Sequence, residues 1–349
     1  MSLILPCAGS SSRYPNMKPK WMLTLPSNKL MIQGSIEKLD LKNINDIYVT
    51  FLKEHIIDYE LTDLEQLFHF TNKKVHILLL NDKTNSQPET VLETINHFNI
   101  EGPIFIKDCD NSFEFCIDVG NYICSLKIDE KNNVKKLYNK SFIQVNDLDE
   151  IINISEKNII SNEICIGGYS FSSTTLFIKL FNQIREIREI NDSLFISHLI
   201  FQALLNKTIF KNKKVNNYHD WGTFEDWIEY KNNFRTLFID IDGTLFINSS
   251  EYFKPKWGDS LPINENIKHI QELYKKGNIQ IILTTSRKSE YRDKTIEQLN
   301  KYNVPYNNII FDLFHSKRFL INDYSNTNPY PTSISINLKR DDNTLKDIL

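Results

Sequence analysis

The stretch Phe238–Leu245, FIDIDGTL, limits what the rest of the chain can be. An apolar run, Leu237-Phe238-Ile239, leads into two carboxylates one residue apart, Asp240 and Asp242, and then into Gly243-Thr244. Strand alternation puts both carboxylates on one side, and Gly243 permits the sharp turn that follows. In open α/β sheets ligands gather at the carboxyl ends of the strands. Two carboxylates at such a tip can hold a divalent cation through oxygen. With the cation in place, one can attack a phosphoryl group while the other moves protons. The stretch also divides the chain, because a second phosphate-handling pattern lies at the far N-terminus.

A chain of 349 residues suits two domains. Its balance of apolar and charged residues is that of a soluble globular protein. A net charge of −3 and the lack of a basic stripe argue against nucleic acid as a partner. No apolar run is long enough for a membrane-spanning helix, and MSLILPCAGSSSR lacks the basic start of a signal peptide. The five cysteines form no C-x-x-C pair. That pattern suits reduced thiols in the cytoplasm better than a disulfide frame or a zinc site.

At the N-terminus a short apolar strand, Ser2–Pro6, runs into Cys7-Ala8-Gly9-Ser10-Ser11-Ser12-Arg13. Such small residues let backbone N–H groups approach a phosphate chain, and Arg13 and Lys20 add positive charge. The stretch resembles the A-G-x-G-[ST]-R and P-K signature of sugar-nucleotide pyrophosphorylases. Ser11 departs from it, standing where that family has glycine; a negative φ is expected to accommodate it, with its hydroxyl free to donate to phosphate. The resemblance implies a Rossmann-like, GT-A-like domain with a mixed sheet over residues 1–230. It also implies that Ala8, Gly9, Ser10, Ser11, Ser12 and Arg13 hold a nucleoside triphosphate, while Lys20 contacts a sugar phosphate.

Further segments fit in order. Ile47–Leu52, Val75–Leu80 and Pro103–Lys107 read as strands in a βαβ rhythm. Thr84–Val91 resembles the segment that reads the nucleobase, implying contacts from Gln87, Glu89 and Thr90; it also reads as a helix start capped by Ser86 or Thr84. Asp108-Cys109-Asp110-Asn111 closes a strand, where the family keeps its magnesium-binding aspartate; Asp110 is the first choice and Asp108 the second. Glu156-Lys157 and Gly168 resemble the segments facing the sugar phosphate. Asn191–Leu205 has helical apolar spacing. Asp220-Trp221-Gly222-Thr223 resembles the D-x-G-T whose aspartate is the second magnesium ligand. Thr223–Tyr230 then reads as a helix, and Lys231-Asn232-Asn233 as a polar linker.

The remainder, 234–349, resembles the haloacid-dehalogenase (HAD) phosphatases, whose first motif is DxDGT. Helices are expected over Glu265–Lys276 and Asp293–Tyr302, and strands over Gln280–Leu283, Ile309–Phe311 and Arg318–Ile321. The resemblance implies Thr285 and Lys317 as phosphate ligands, with Arg318 as the rival of Lys317. It implies Asp240 as nucleophile, Asp242 as acid and base, and Mg2+ on Asp240, Asp323 and the Asp242 carbonyl. Roughly forty residues separate the first two motifs and roughly thirty the next two, leaving no room for a large cap. The expected domain is therefore a capless one with a parallel sheet. Phe234–Asn337, with Asn322–Pro331, is similar to small HAD proteins of capsule gene clusters.

Together these resemblances imply a bifunctional, Mg2+-dependent enzyme of surface-polysaccharide supply. One domain would join a nucleoside triphosphate to a sugar or polyol phosphate, and the other would hydrolyse a phosphomonoester. The alternative is a phosphatase whose N-terminal domain only binds nucleotide or regulates. A homodimer is a further possibility for these folds.

Overall fold

The structure, a computed structural model, describes residues 1–129, 136–187, 194–323 and 332–349. The chain divides into two compact units, Met1–Tyr230 and Lys231–Leu349.

In chain order the first unit holds β1 (Ser2–Pro6), α1 (Met31–Glu37), β2 (Leu39–Asp40), β3 (Asp46–Leu52), α2 (Lys53–Asp58), β4 (Lys74–Leu80) and α3 (Gln87–Phe98). There follow β5 (Ile104–Lys107), β6 (Asn111–Cys116), β7 (Tyr122–Lys127), β8 (Ser141–Val145), β9 (Ile151–Glu156) and β10 (Glu163–Phe171). It closes with α4 (Thr174–Ile187), α5 (Ile196–Leu205), β11 (Lys211–Lys214), β12 (Asn216–Asp220) and α6 (Phe224–Asn232).

The main sheet has the order β11-β7-β10-β5-β1-β3-β4, with β8 on β10 and β9 on β8. It is mixed: β1 is parallel to both β3 and β5, whereas β10 is antiparallel to β5 and β7. Strand β1 is buried on both faces. Leu3 and Leu5 enter one core with Val49 and Phe105, while Ile4 enters another with Ile106 and Val91. That is why its sequence is a continuous apolar run instead of an alternating one. From β1 the chain builds outward through β3 and β4, then returns to place β5 on the other side of β1. The carboxyl ends of β1 and β5 are thus a topological switch point, where ligands bind in such sheets. A second sheet, β12-β6-β2, pairs Asp220 with Asn111.

The second unit carries β13 (Arg235–Asp240), α7 (Asn264–Lys275), β14 (Ile279–Thr284), α8 (Arg292–Lys301) and β15 (Asn308–Ile310). Its sheet is parallel, in the order β13-β14-β15. Ile239, Ile281, Leu283, Ile270 and Leu299 form its core.

Three expectations are corrected. The segment Arg318–Ile321 forms no strand; Phe319 and Ile321 are more than four-fifths exposed, so nothing rewards extending it. The polar stretch at Lys231–Asn233 is no linker, because α6 continues through Asn232. The helix expected over Asn191–Leu205 begins at Ile196, and 191–193 lie outside the described residues, as do 324–331 of the Asn322–Pro331 stretch.

Candidate functional site

At the switch point two turns leave the sheet side by side. The first is the loop after β1. Ala8 is buried, while Gly9 and Ser10 are exposed, and a side chain added at Gly9 would meet nothing within 4 Å. The loop therefore has open space beside it at Gly9, as an anion cradle needs. Ser11 has φ +50°, which corrects the expectation of a negative angle. Its hydroxyl accepts a 2.9 Å bond from the Lys20 backbone N–H, so it ties the loop to the lysine. Ser12 and Arg13 are exposed. The Tyr14 hydroxyl is shared between the carbonyls of Trp221 and Thr223, fixing the end of the loop beneath the segment after β12.

The second turn is Asp108–Asn111, after β5. Lys20 Nζ lies 2.5 Å from Asp110 Oδ2 and Arg13 Nη2 lies 3.5 Å from it. Burial pushes the Asp110 carboxyl up, yet Lys20 and Arg13 together hold it well below the usual carboxylate range. The Trp221 backbone N–H donates to the Asp110 carbonyl at 2.8 Å. A side chain built on Gly222 would lie 3.1 Å from Asp220 Oδ1, 3.4 Å from Arg13 and 4.0 Å from Asp110 Oδ2. The structure therefore brings together Arg13, Lys20, Asp110 and Asp220, from segments up to 207 residues apart in sequence (Arg13 to Asp220). Hard oxygen donors suit Mg2+, which needs only one or two carboxylates when phosphates and water complete its shell. Asp110 and Asp220 fit that requirement.

Asp108 accepts a hydrogen bond from Gln87 Nε2, and burial followed by the Asp110 charge raises its pKa. Of the three residues expected at the nucleobase, only Gln87 reaches this cluster. Glu89 and Thr90 build the start of α3 instead. Ser86 caps the helix by accepting from Glu89 N–H, the Glu89 carboxylate accepts from Asn85 N–H at 2.8 Å, and buried Thr90 bonds the Thr84 hydroxyl at 2.6 Å.

The residues expected at the sugar phosphate have other partners here. Glu156 accepts from the Ser141 and Ser197 hydroxyls, and Lys157 Nζ lies 4.5 Å above the Phe195 ring. The lysine that enters the cluster is Lys140, paired with Asp220 and 3.2 Å from the Tyr218 hydroxyl. Gly168 is required by packing, since a side chain there would strike the Phe113 ring and Cys124. Its neighbour Gly167, with φ +83°, is the glycine facing Asp108 and Asn111.

One further lysine was not singled out from sequence. Lys107, at the end of β5, is fully buried, and burial lowers its pKa to about 8. Its ammonium donates to the Asp108 carbonyl at 2.6 Å, the Asn111 carbonyl at 2.9 Å and Asn111 Oδ1 at 2.6 Å. All three protons close the turn that carries both aspartates. The only trace in sequence is a charged residue ending an apolar strand.

In the second unit Asp240 lies opposite Thr284 across β13 and β14. Burial raises its pKa, and Arg318 Nη1 donates to Oδ1 at 2.9 Å, partly offsetting that. The same guanidinium lies 3.4 Å from the Thr284 hydroxyl. Arg318, not Lys317, therefore stands at the strand tip; Lys317 is exposed and points to no described partner. Thr285 is buried, its hydroxyl accepting from the Arg287 backbone N–H at 3.0 Å. Asp242 is gripped by Arg287, Nε to Oδ2 and Nη2 to Oδ1, both at 2.8 Å. Arg287 is fully buried and also donates to Thr295 and Gln298. Asp323 is exposed.

No family model and no curated protein matches this chain. Among solved structures it is similar to a nucleoside-diphosphate-sugar pyrophosphorylase from Vibrio cholerae RC9, with 17% identity, a TM-score of 0.56, and coverage of 66% of this chain and 99% of that one. A UDP-glucose pyrophosphorylase complexed with UDP-glucose matches with 16% identity and a TM-score of 0.52, over 66% of this chain and 97% of that one. The inositol-1-phosphate CTP transferase from T. maritima matches with 12% identity and a TM-score of 0.50, over 64% of this chain and 90% of that one. The switch-point sheet, with its loop after β1 and its turn after β5, thus has the nucleotidyltransferase fold of the sugar-nucleotide pyrophosphorylases.

Proposed function

We propose that the first unit transfers a nucleotidyl group from a nucleoside triphosphate to a sugar or polyol phosphate, releasing pyrophosphate. The observation that carries this reading is the convergence of Arg13, Lys20, Asp110 and Asp220 at the switch point. The N–H groups of the loop from Ala8 to Ser12 bind the triphosphate. Arg13 and Lys20 turn from Asp110 to the phosphate oxygens, and Lys140 does the same from Asp220. An acceptor phosphate oxygen attacks the α-phosphorus in line, and the bond to the β-phosphate oxygen breaks. Mg2+ held by Asp110 and Asp220 supplies neutralisation of phosphate charge. No side-chain nucleophile is required, because positioning and charge carry such a transfer.

The test is pyrophosphate release by the full chain with Mg2+, running CTP, UTP, GTP, dTTP and ATP against a panel of sugar and polyol phosphates. Release with one triphosphate, lost in Asp110→Asn, is the expected result. Triphosphate binding without release for any pair would favour a nucleotide-binding regulatory unit instead.

For the second unit the reading is phosphomonoester hydrolysis with Asp240 as nucleophile. It is supported by the desolvated carboxylate at a strand tip beside Thr284 and Arg318, which can take phosphoryl oxygens. Hydrolysis of p-nitrophenyl phosphate, abolished in Asp240→Asn, is expected; hydrolysis that survives the substitution would remove this role. Joined, the two activities suit cytoplasmic supply of an activated sugar or polyol for a surface polysaccharide, a reading that rests on the resemblance of the two halves.

A further inference from the structure

Strands β1 and β5 run parallel, with Leu3 opposite Phe105 and Ile4 opposite Ile106. Extending that register by three residues brings Cys7 opposite Cys109. The odd-numbered side chains of both strands share one face: Leu3, Leu5, Cys7 and Phe105 lie in one core cluster, and Cys109 packs against it. The two thiols therefore leave their backbones on the same side. Neighbouring strands lie about 4.8 Å apart, within the Cα span of about 4.4–6.8 Å that a disulfide bridges. Burial raises the pKa of the Cys7 thiol, and the Cys109 side chain adds to it directly, as contact between the two groups requires. Cys7 is buried, Cys109 is part-exposed, and both are free thiols. Neither has a part in the transfer scheme. Yet one opens the phosphate loop and the other sits between Asp108 and Asp110.

We propose that Cys7 and Cys109 are a peroxide-oxidisable pair whose disulfide ties the phosphate loop to the carboxylate turn. The accessible Cys109 sulfur attacks hydrogen peroxide; the O–O bond breaks, an S–O bond forms, and the leaving hydroxide takes the thiol proton as water. The Cys7 sulfur then attacks the Cys109 sulfenic acid. The S–S bond forms, the S–O bond breaks, and hydroxide leaves with the Cys7 proton as a second water. Two thiols are oxidised to a disulfide and one peroxide is reduced to two waters. The cross-link pulls the turn toward the loop and displaces the Asp110 carboxylate from Arg13 and Lys20. That effect on transfer rests on the function proposed above; the cross-link itself does not.

The experiment uses the full chain, reduced, desalted, treated with hydrogen peroxide, alkylated in denaturant and digested for mass spectrometry. The Cys7 and Cys109 peptides are expected joined and two hydrogens lighter than their sum. The link is expected to revert with dithiothreitol, to vanish in Cys109→Ser and to persist in Cys116→Ser. Pyrophosphate release falls about a hundredfold on oxidation, as a displacement on the order of 1 Å at a reacting centre produces, and returns on reduction. Both thiols alkylated separately, or Cys109 recovered as sulfinic acid beside an alkylated Cys7, would overturn the pair. Undiminished release from the cross-linked protein would overturn the lock. If the reduced protein releases no pyrophosphate, the fault lies with the proposed function. Amide exchange at Gly9–Arg13 then decides the lock: slowing on oxidation supports it, and no change removes it.

Discussion

At Ser11 the backbone has φ +50°, where the sequence reading expected a negative angle. The place of Ser11 in a loop of small residues after β1 was legible from its neighbours. Its left-handed backbone was not, because local sequence does not show the fold around it, in which its hydroxyl accepts from Lys20 N–H nine residues away. Ser11→Ala keeps the strained φ and loses the bond, so it should destabilise the first unit by about 1 kcal/mol in urea unfolding. Ser11→Gly removes about 1 kcal/mol of backbone strain as it loses the bond, so it should lie close to the wild type. Equal losses in both variants would show that the hydroxyl alone matters. Lys107 carries a pH signature. Its ordinary pKa of 10.5 falls to about 8 in the folded chain. Between those values the unfolded chain binds more protons, so the contribution of this residue to stability rises with pH. Below pH 8 the cost of burying the charge is fully present. The wild type should therefore gain stability relative to Lys107→Met between about pH 8 and about pH 10 in urea titrations; a constant difference would mean that Lys107 keeps its ordinary pKa.

At the scale of elements, apolar runs identified β1, β5, β13 and β14 within a residue or two, and in β5 and β13 the run ends at carboxylates; β1, buried on both faces, leaves the densest apolar signature. Arg318–Ile321 carried the same apolar character but found no partner, since pairing depends on a neighbour that sequence spacing does not reveal. The same limit hid Lys140: it stands beside Asp220 through the β8 and β12 segments, whereas Lys157, adjacent to a matching glutamate in sequence, turns to Phe195. Arg287 was not singled out from the sequence. In the fold it joins the end of β14 to α8 through Thr295 and Gln298 while holding Asp242. Arg287→Met leaves a largely buried carboxylate without its partner and should cost about 3–5 kcal/mol, with much of it recovered by adding Asp242→Asn. Full recovery of nothing in the double variant would assign the loss to the helix contacts alone.

At the scale of the whole molecule, two compact units predict two thermal transitions. In calorimetry of the full chain, Arg287→Met should lower one transition and leave the other, while Ser11→Ala should do the converse. A single transition shifted by both substitutions would show that the units unfold together. The first unit also carries an electrical consequence. Three cations, Arg13, Lys20 and Lys140, already sit on the two carboxylates Asp110 and Asp220. A bare divalent ion approaching this cluster competes with resident positive charge, whereas one that arrives on a triphosphate brings anions for the displaced lysines and arginine to follow. The site is in this sense a lock that an ion cannot open by itself. Mn2+ should bind weakly to the wild type without nucleotide and more tightly to Lys140→Met, as read by electron paramagnetic resonance. On the proposed function, the free protein would keep Asp110 and Asp220 covered by these cations, and the nucleotide, not the abundance of the ion, would decide when they are uncovered.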